Sequence, residues 1–273
     1  MTAGNTSHLL RAHAPMSESA WQLLDDEARQ RLPVALGARK LIDFSGPHGW
    51  DFSAVDLGRA SEAANGPVAG VTAAARRTLP VIELRAPFTV ARAELDAHER
   101  GAIDPDLASL DAAAAQIAEA ENSAVFHGWS ELDLTGICDA SPHPSVASDS
   151  VGARYPQRVA KAVATLLQSG IDGPYGLALG PADYTEVIES SEHGGYPLLD
   201  HLRKILGGPI VWVPGLAGGV VLSMRGGDFL FDSGEDLVIG YDHHDDQNVH
   251  LYLEESFAFR VATPEAAVAL TAA

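Results

Sequence analysis

The sequence is poor in cysteine and in basic residues. Its 273 residues include one cysteine, Cys138, so no disulfide can form within the chain. Because small secreted domains are commonly stabilised by cysteine pairs, we expect a protein of the reducing cytoplasm. Lysine and arginine total 18 against 37 aspartate and glutamate, for a formal net charge of −19. Proteins that bind polyanions cluster their cations, so this balance disfavours nucleic acid and anionic membranes as partners.

Long hydrophobic runs are also absent. The longest apolar stretch, residues 210–224, is broken by Pro214 and several glycines, and residues 1–15 lack the continuous apolar core of a secretory signal. We therefore expect no membrane partner. Hydrophobic residues make up 46% and charged residues 20%, a composition typical of globular proteins. The length allows one large domain or two smaller ones.

Periodicity predicts an α+β protein, with helices between β-rich ends. Trp21, Leu24, Ala28 and Leu32 form one stripe of a helix that starts after the N-cap candidate Ser17 and is kinked or restarted at Pro33. Further helices and strands are predicted as follows: helices over 104–121, 156–169, 184–189 and 198–206, and strands over 41–44, 79–90, 175–179 and repeatedly over 209–262.

Residues 51–78 are rich in alanine and glycine and predict a two-stranded arm. The weakly alternating segments 52–57 and 68–73 flank the turn signal Asn65-Gly66-Pro67. Because an isolated hairpin buries little apolar surface, we expect this arm to pack on another chain.

Candidate catalytic and metal motifs have simpler structural explanations. Asp242-His243-His244-Asp245-Asp246, followed by His250, has the ligand types of a metal site, but adjacent strand residues point to opposite faces, so a solvated hairpin turn is the alternative. Arg225-Gly-Gly-Asp-Phe229 predicts a tight hairpin. Glu254 and Glu255 alternate across a strand, and the common nucleotide and hydrolase motifs are missing.

Several short motifs, in order from Ala14 to Leu270, resemble the encapsulin shell proteins, family 1, also known as linocin-type bacteriocin proteins. They are Gly37-x-Arg39-Lys40, Gly46-Pro-His-Gly-Trp50, Leu84-Arg-Ala-Pro-Phe-Thr89, Glu99-Arg-Gly101, Asp172-Gly-Pro-Tyr175, Arg225-Gly-Gly-Asp-Phe229 and Ile239-Gly-Tyr241, with Ala14-Pro15 and Trp21 before them.

The resemblance implies the Hong Kong 97 phage-type major capsid fold, with sixty copies closing into a shell around a cargo enzyme, either a dye-decolourising peroxidase or a ferritin-like protein. It implies this division of the chain: 1–50, N-terminal helix and start of the peripheral domain; 51–78, extended loop that packs on neighbours; 79–127, peripheral domain with the spine helix; 128–224, axial domain; 225–273, return strands of the peripheral domain.

The resemblance also implies two sites. A groove for the C-terminal targeting peptide of the cargo comprises Leu32, Leu36, Arg39, Ile42, Asp43, Ile239 and Tyr241, for which plain core packing is the alternative. A five-fold pore loop comprises Glu192, His193, Gly194, Gly195 and Tyr196, with one glycine more than the usual family pattern. Ala93 stands where flavin-binding relatives have tryptophan, so no cofactor is expected.

Two other functions stay open at this stage. One is a metal-dependent cytosolic hydrolase or binding protein that uses His243, His244 and His250. The other is a phage major capsid protein, against which the N-terminal helix counts. The resemblance favours a non-catalytic shell protein in the cytoplasm.

Overall fold

The computed structural model describes residues 6–147, 155–191 and 197–271. Seven α-helices occur in these ranges: α1 Glu18–Ala35, α2 Arg92–Glu99, α3 Ala108–His127, α4 Ile137–Ala140, α5 Tyr155–Gln168, α6 Pro181–Glu189 and α7 Leu198–Leu206. None of the described helices is long and apolar enough to cross a membrane.

One mixed sheet is built around a long strand near the C-terminus. Its strands are β1 Asp43–Ser45, β6 Ile82–Ala91, β10 Phe229–Ser233, β11 Val238–His244 and β12 Asn248–Val261. Strand β12 pairs antiparallel with β6, β10 and β11, and β1 extends the sheet by parallel pairing with β10. Alternate residues of β6, from Ile82 to Val90, are buried, as expected for a strand with one face on the core.

A second sheet contains β7 Tyr175–Leu179, β8 Gly207–Trp212, β9 Gly219–Ser223 and β13 Ala267–Leu270, in the order β13-β9-β7-β8. Every residue of β7 is buried, which explains its continuous apolar sequence. Since β13 pairs with β9, the predicted segment 225–273 is divided between the two sheets and does not belong wholly with the first.

Helix α1 continues past Pro33. The Ser17 side chain accepts a hydrogen bond from the Ala20 amide, which confirms it as the N-cap. Of the two outcomes predicted at Pro33, a kink or a restart, the restart was wrong, because one helix continues through Pro33 to Ala35. Pro33 lies in the last turn, where only the bond from its own missing amide is lost, and the buried stripe Leu24, Ala28 and Leu32 anchors the helix before it.

The arm has four strands: β2 Ala54–Ala60, β3 Ala64–Asn65, β4 Thr72–Ala73 and β5 Arg76–Pro80. A two-stranded arm is confirmed, since β2 pairs with β5 and β3 with β4. The predicted strand 68–73 was wrong for 68–71, because 66–71 form the turn at the tip, whereas Thr72 and Ala73 do form β4 and β5 continues the return strand. No residue of 54–80 is buried, so the arm packs on neither central sheet.

The predicted hairpin at Arg225–Phe229 was also wrong. Strands β9 and β10, on either side of it, belong to different sheets, so the segment is a crossing between them. Gly226 and Gly227 do have positive φ, as a tight turn requires, and Arg225 is paired with the buried Asp228. Sequence patterns also missed α2 and β13, and they started α3 four residues too early.

Candidate binding groove

A groove of about 610 Å³ runs between α1, the N-terminal segment and β11. This volume is within the range of small-ligand and peptide-anchor sites. The groove is lined by Leu9, Arg11, Asp25, Ala28, Arg29, Leu32, Pro33, Leu36, Arg39, Lys40, Asp236, Leu237, Val238 and Ile239.

The floor of the groove is apolar. Ala28 and Leu32 lie one turn apart on α1, and Leu36 follows another four residues on, so that all three point to one side. Ile239 faces them from β11, and all four side chains are largely buried. Such a floor accepts branched or aliphatic side chains, and excludes charged ones that would lose their hydration there.

The N-terminal segment forms one wall. Arg11 donates a hydrogen bond from Nε to the Ile239 carbonyl at 2.8 Å and binds both carboxylate oxygens of Asp25, at 2.9 and 2.6 Å. Its guanidinium also lies 4.3 Å from the centre of the Trp21 ring. Arg11 therefore ties the N-terminal segment to both α1 and β11, the two elements that flank the groove.

Arg39 lies at the inner edge of the groove and binds three carboxylates. It contacts Glu121 of α3 at 2.5 Å, Glu255 of β12 at 2.8 Å and Asp236 at 2.6 Å. Burial raises the pKa of Glu121, and burial together with the Glu121 carboxylate raises the pKa of Glu255 well above its usual value. The Arg39 side chain is only 13% exposed, and these three carboxylates already balance its charge.

Four of the seven predicted groove residues, Leu32, Leu36, Arg39 and Ile239, line this groove. Ile42 and Asp43 lie instead at a separate small cavity of about 70 Å³ beside the 225–229 crossing, where Asp43 accepts a hydrogen bond from the Gly227 amide at 2.6 Å.

Tyr241 is buried outside the groove lining and shares a hydrogen bond with His244 Nδ1 at 2.6 Å. Sequence reasoning missed the N-terminal wall formed by Leu9 and Arg11. It also missed Ala28 and Leu237, although Ala28 stands on the predicted helix stripe and was available as a signal.

The predicted pore residues Glu192, His193, Gly194, Gly195 and Tyr196 lie outside the described residues.

The histidine-rich segment forms a hairpin turn, as the simpler interpretation predicted. His243 of β11 is directly opposite His250 of β12, and their rings stack with centroids 4.1 Å apart. His250 contacts Asp245 at 3.2 Å and Thr89 at 3.0 Å. Within 6–147, 155–191 and 197–271, no group of three potential ligands is arranged to hold a metal ion.

Solved structures from a virus-like particle and from a phage align with most of this chain. The virus-like particle of Pyrococcus furiosus aligns with a TM-score of 0.61 and 17% identity, covering 92% of this chain and 97% of its own. A structure of Mycobacterium phage Bobi aligns with a TM-score of 0.58 and 14% identity, covering 88% and 90%. The chain thus has the Hong Kong 97 phage-type capsid fold that the sequence resemblance implied.

Sequence comparison identifies the family within this class of capsid folds. The family model described as "Encapsulating protein for peroxidase" matches residues 6–258. The type 1 encapsulin shell protein of Rhodospirillum rubrum is 47% identical over 267 residues, covering 96% of this chain and 95% of the relative. That of Rhodococcus erythropolis is 40% identical, covering 97% and 99%. The chain belongs to the encapsulin shell-protein family, and it is a structural, self-assembling shell subunit.

Proposed function

We propose that sixty copies of this chain close into an icosahedral shell in the cytoplasm, and that the shell encloses an enzyme held by its C-terminal peptide in the groove between α1 and β11. The observation that carries the peptide site is the groove itself, an open apolar depression with a polar rim on a shell subunit. The matching family model is described as an encapsulating protein for peroxidase. A dye-decolourising peroxidase is therefore the first cargo to test, and a ferritin-like protein the second.

The groove suits a short peptide with aliphatic anchors. Leu32, Leu36 and Ile239 provide the apolar floor, and Lys40 and Arg29 stand at the rim. Short apolar anchors in a groove bind weakly one at a time. Repetition over the inner surface of a closed shell raises the local concentration of sites, so weak single contacts suffice to retain cargo.

Arg39 is a poor choice for testing the groove, although the family resemblance points to it. Its removal would leave Glu121 and Glu255 buried without their cation, a loss of about 3–5 kcal/mol in comparable buried pairs. A variant at Arg39 would therefore confuse peptide binding with folding.

Filling the groove is a cleaner test. Ala28→Phe places a ring among Leu32, Leu36 and Ile239, whereas Val34→Phe places the same ring on α1 away from the groove, where Val34 is 62% exposed. After co-expression with a dye-decolourising peroxidase that carries its own C-terminal tail, we expect A28F shells to contain at least about tenfold less enzyme than V34F shells. The amount of enzyme per shell is measured on gradient-purified particles.

Unchanged loading of intact A28F shells would refute the groove assignment. A peroxidase without its C-terminal tail serves as the background control. Electron microscopy of the purified wild-type chain tests the shell: closed particles are expected, and a stable monomer under several buffer conditions would contradict it.

We assign no catalytic role to the chain itself. His250 contacts Asp245 and Thr89, and His243 stacks on His250 across the hairpin, so both histidines have structural contacts. The shell contributes by enclosing the cargo enzyme and by admitting small solutes through pores at its symmetry axes.

A further inference from the structure

The N-terminal wall of the groove, residues 6–13, is held by anchors on either side of a strained residue. Leu9 is 1% exposed and lines the groove, and Arg11 joins the wall to α1 and β11. Between them, Leu10 has φ 52° and is 45% exposed. A leucine in the left-handed region is strained, so the wall stays seated only because its anchors offset that strain.

His8 is a further anchor of this wall, directly before Leu9. Its Nε2 lies 3.8 Å from Oε2 of Glu235 and 3.8 Å from Oε1 of Glu254, and the His8 side chain is 10% exposed. The ring also stacks on Trp50, with centroids 4.4 Å apart and planes 13° apart. A protonated imidazole is attracted by both carboxylates and by the tryptophan ring, whereas a neutral imidazole has no charge to contribute to any of the three contacts.

The two carboxylates belong to rigid parts of the subunit. Glu254 lies on β12 with its side chain 1% exposed, and its Oε1 is buried without a hydrogen bond from any described residue. The Glu235 amide donates to Ser256 Oγ at 2.9 Å, and the Glu235 carbonyl accepts from the Ser256 amide at 2.9 Å. A buried carboxylate oxygen without a donor is costly, so a cation that faces Oε1 is favourable there.

The other charged groups around this contact leave Oε1 to His8. Arg85 of β6 lies 2.5 Å from the second oxygen of Glu254, Oε2, and 3.1 Å from Glu83. Burial and the Glu83 carboxylate raise the pKa of Glu254, whereas the charges of Arg85 and His8 lower it. Arg11, in the same wall as His8, is bound by α1.

We propose that His8 is a positioning residue of the peptide groove, which in its protonated form pins the N-terminal wall on Glu235 and Glu254, so that the groove holds the cargo peptide more tightly at pH 6 than at pH 8. The inference rests on the proposed function and adds a regulation to the same groove. His8 does not line the groove itself and acts through Leu9 and Arg11, which do. When the wall is released in a fraction of the subunits, the affinity for the peptide falls by that fraction.

Reassembly at two pH values tests the inference. Wild-type shells are dissociated and reassembled at pH 6 and at pH 8 with a dye-decolourising peroxidase that carries its C-terminal tail, at a concentration that fills the particles only in part. The enzyme protein per gradient-purified particle is measured. The same peroxidase without its tail, at each pH, separates tail-dependent loading from any effect of pH on assembly. We expect tail-dependent loading to be at least about threefold higher at pH 6.

Substitutions of His8 separate its charge from its packing. His8→Lys carries its charge at both pH values, so loading at pH 8 is expected to equal that at pH 6. His8→Gln is neutral at both, so loading is expected to stay at the low wild-type level of pH 8. His13→Gln is the matched control, because His13 is an exposed histidine of the same wall, and it is expected to keep the wild-type pH dependence. Circular dichroism verifies that each subunit is folded.

The inference is overturned if wild-type shells load equally at both pH values, if H8Q keeps the wild-type pH dependence, or if H8K loads no better than H8Q at pH 8. Full loading of A28F shells contradicts the groove instead. The failure of the His8 inference is therefore distinguishable from the failure of the proposed function.

Discussion

Arg39 shows how a residue at a binding groove can serve the fold rather than the ligand. Its guanidinium joins the turn after α1 to Glu121 on α3 and Glu255 on β12, which are far apart in sequence. The Oε1 atoms of these two glutamates are buried and have no hydrogen-bond partner among the described residues. A proton shared between the two carboxyl groups would give both Oε1 atoms a hydrogen bond. It would also leave the single positive charge of Arg39 facing fewer negative charges.

This cluster makes stability depend on pH in a defined direction. A carboxyl group whose pKa is raised by folding stabilises the protein while it is protonated, and this stability is lost as the pH rises through its folded-state pKa. Glu255→Gln keeps the shape and supplies a permanent donor. We expect the stability of E255Q to depend less on pH than that of the wild type, with little difference between the two at pH 5 and greater stability of E255Q at pH 9.

Between the unfolded-state and the folded-state pKa of Glu255, the advantage of E255Q should grow by up to about 1.4 kcal/mol per pH unit, and above the folded-state pKa it should level off. Thermal unfolding followed from pH 5 to pH 9 measures it. Asp236→Asn, at the more exposed member of the cluster, is the control and should show a smaller pH effect. An E255Q protein that is destabilised equally at every pH would contradict the shared-proton interpretation.

Elements with strong local signals were predictable from the sequence. Strand β7 and helix α7 have the predicted limits. A fully buried apolar run and a helix that ends at Gly207 can both be recognised from the local sequence. The residues 225–229 carried equally clear turn signals, yet they connect two sheets. A turn sequence specifies the local bend, whereas the sheet that the next strand joins is decided by long-range packing.

The residues that line the groove were likewise predicted only in part. Leu32, Leu36 and Ile239 were identified through the family resemblance and do line it, whereas Asp43, identified in the same way, does not. Strand β1 turns Asp43 toward the Gly227 amide instead. Contacts across 184 residues of sequence separation have no local signature.

The N-cap of helix α1 can be tested by a single substitution. Ser17→Ala removes the side chain that accepts the hydrogen bond from the Ala20 amide at 3.2 Å, so we expect the free energy of unfolding to fall by about 1 kcal/mol. Urea denaturation followed by circular dichroism measures the change. Ser19→Ala, an exposed serine inside the same helix, should stay within about 0.5 kcal/mol of wild type. Equal effects of both variants would contradict the cap.

At the scale of the whole molecule, the charge of −19 opposes assembly. Each added copy brings the same negative charge to the particle, so burial at the contacts has to exceed a repulsion that salt screens. Ion pairs at the contacts between copies have the opposite salt dependence, because they are attractive.

Assembly should therefore be favoured most at intermediate ionic strength. We expect the subunit concentration required for particles to fall between about 10 mM and about 150 mM salt, over which the Debye length shrinks from about 30 Å to about 8 Å. It should then rise again near 1 M, where short-range pairs are screened too. Light scattering over a salt series measures this, and a concentration that rises steadily from the lowest salt would contradict the dominance of net repulsion.

The arm should tolerate substitutions differently when folding is measured and when assembly is measured. Since no side chain of 54–80 is buried, a variant library scored for folding of the single subunit should accept nearly every substitution there. The same library scored for intact particles would meet constraints imposed by a neighbour. The difference between the two maps would outline the footprint of one subunit on the next, residue by residue.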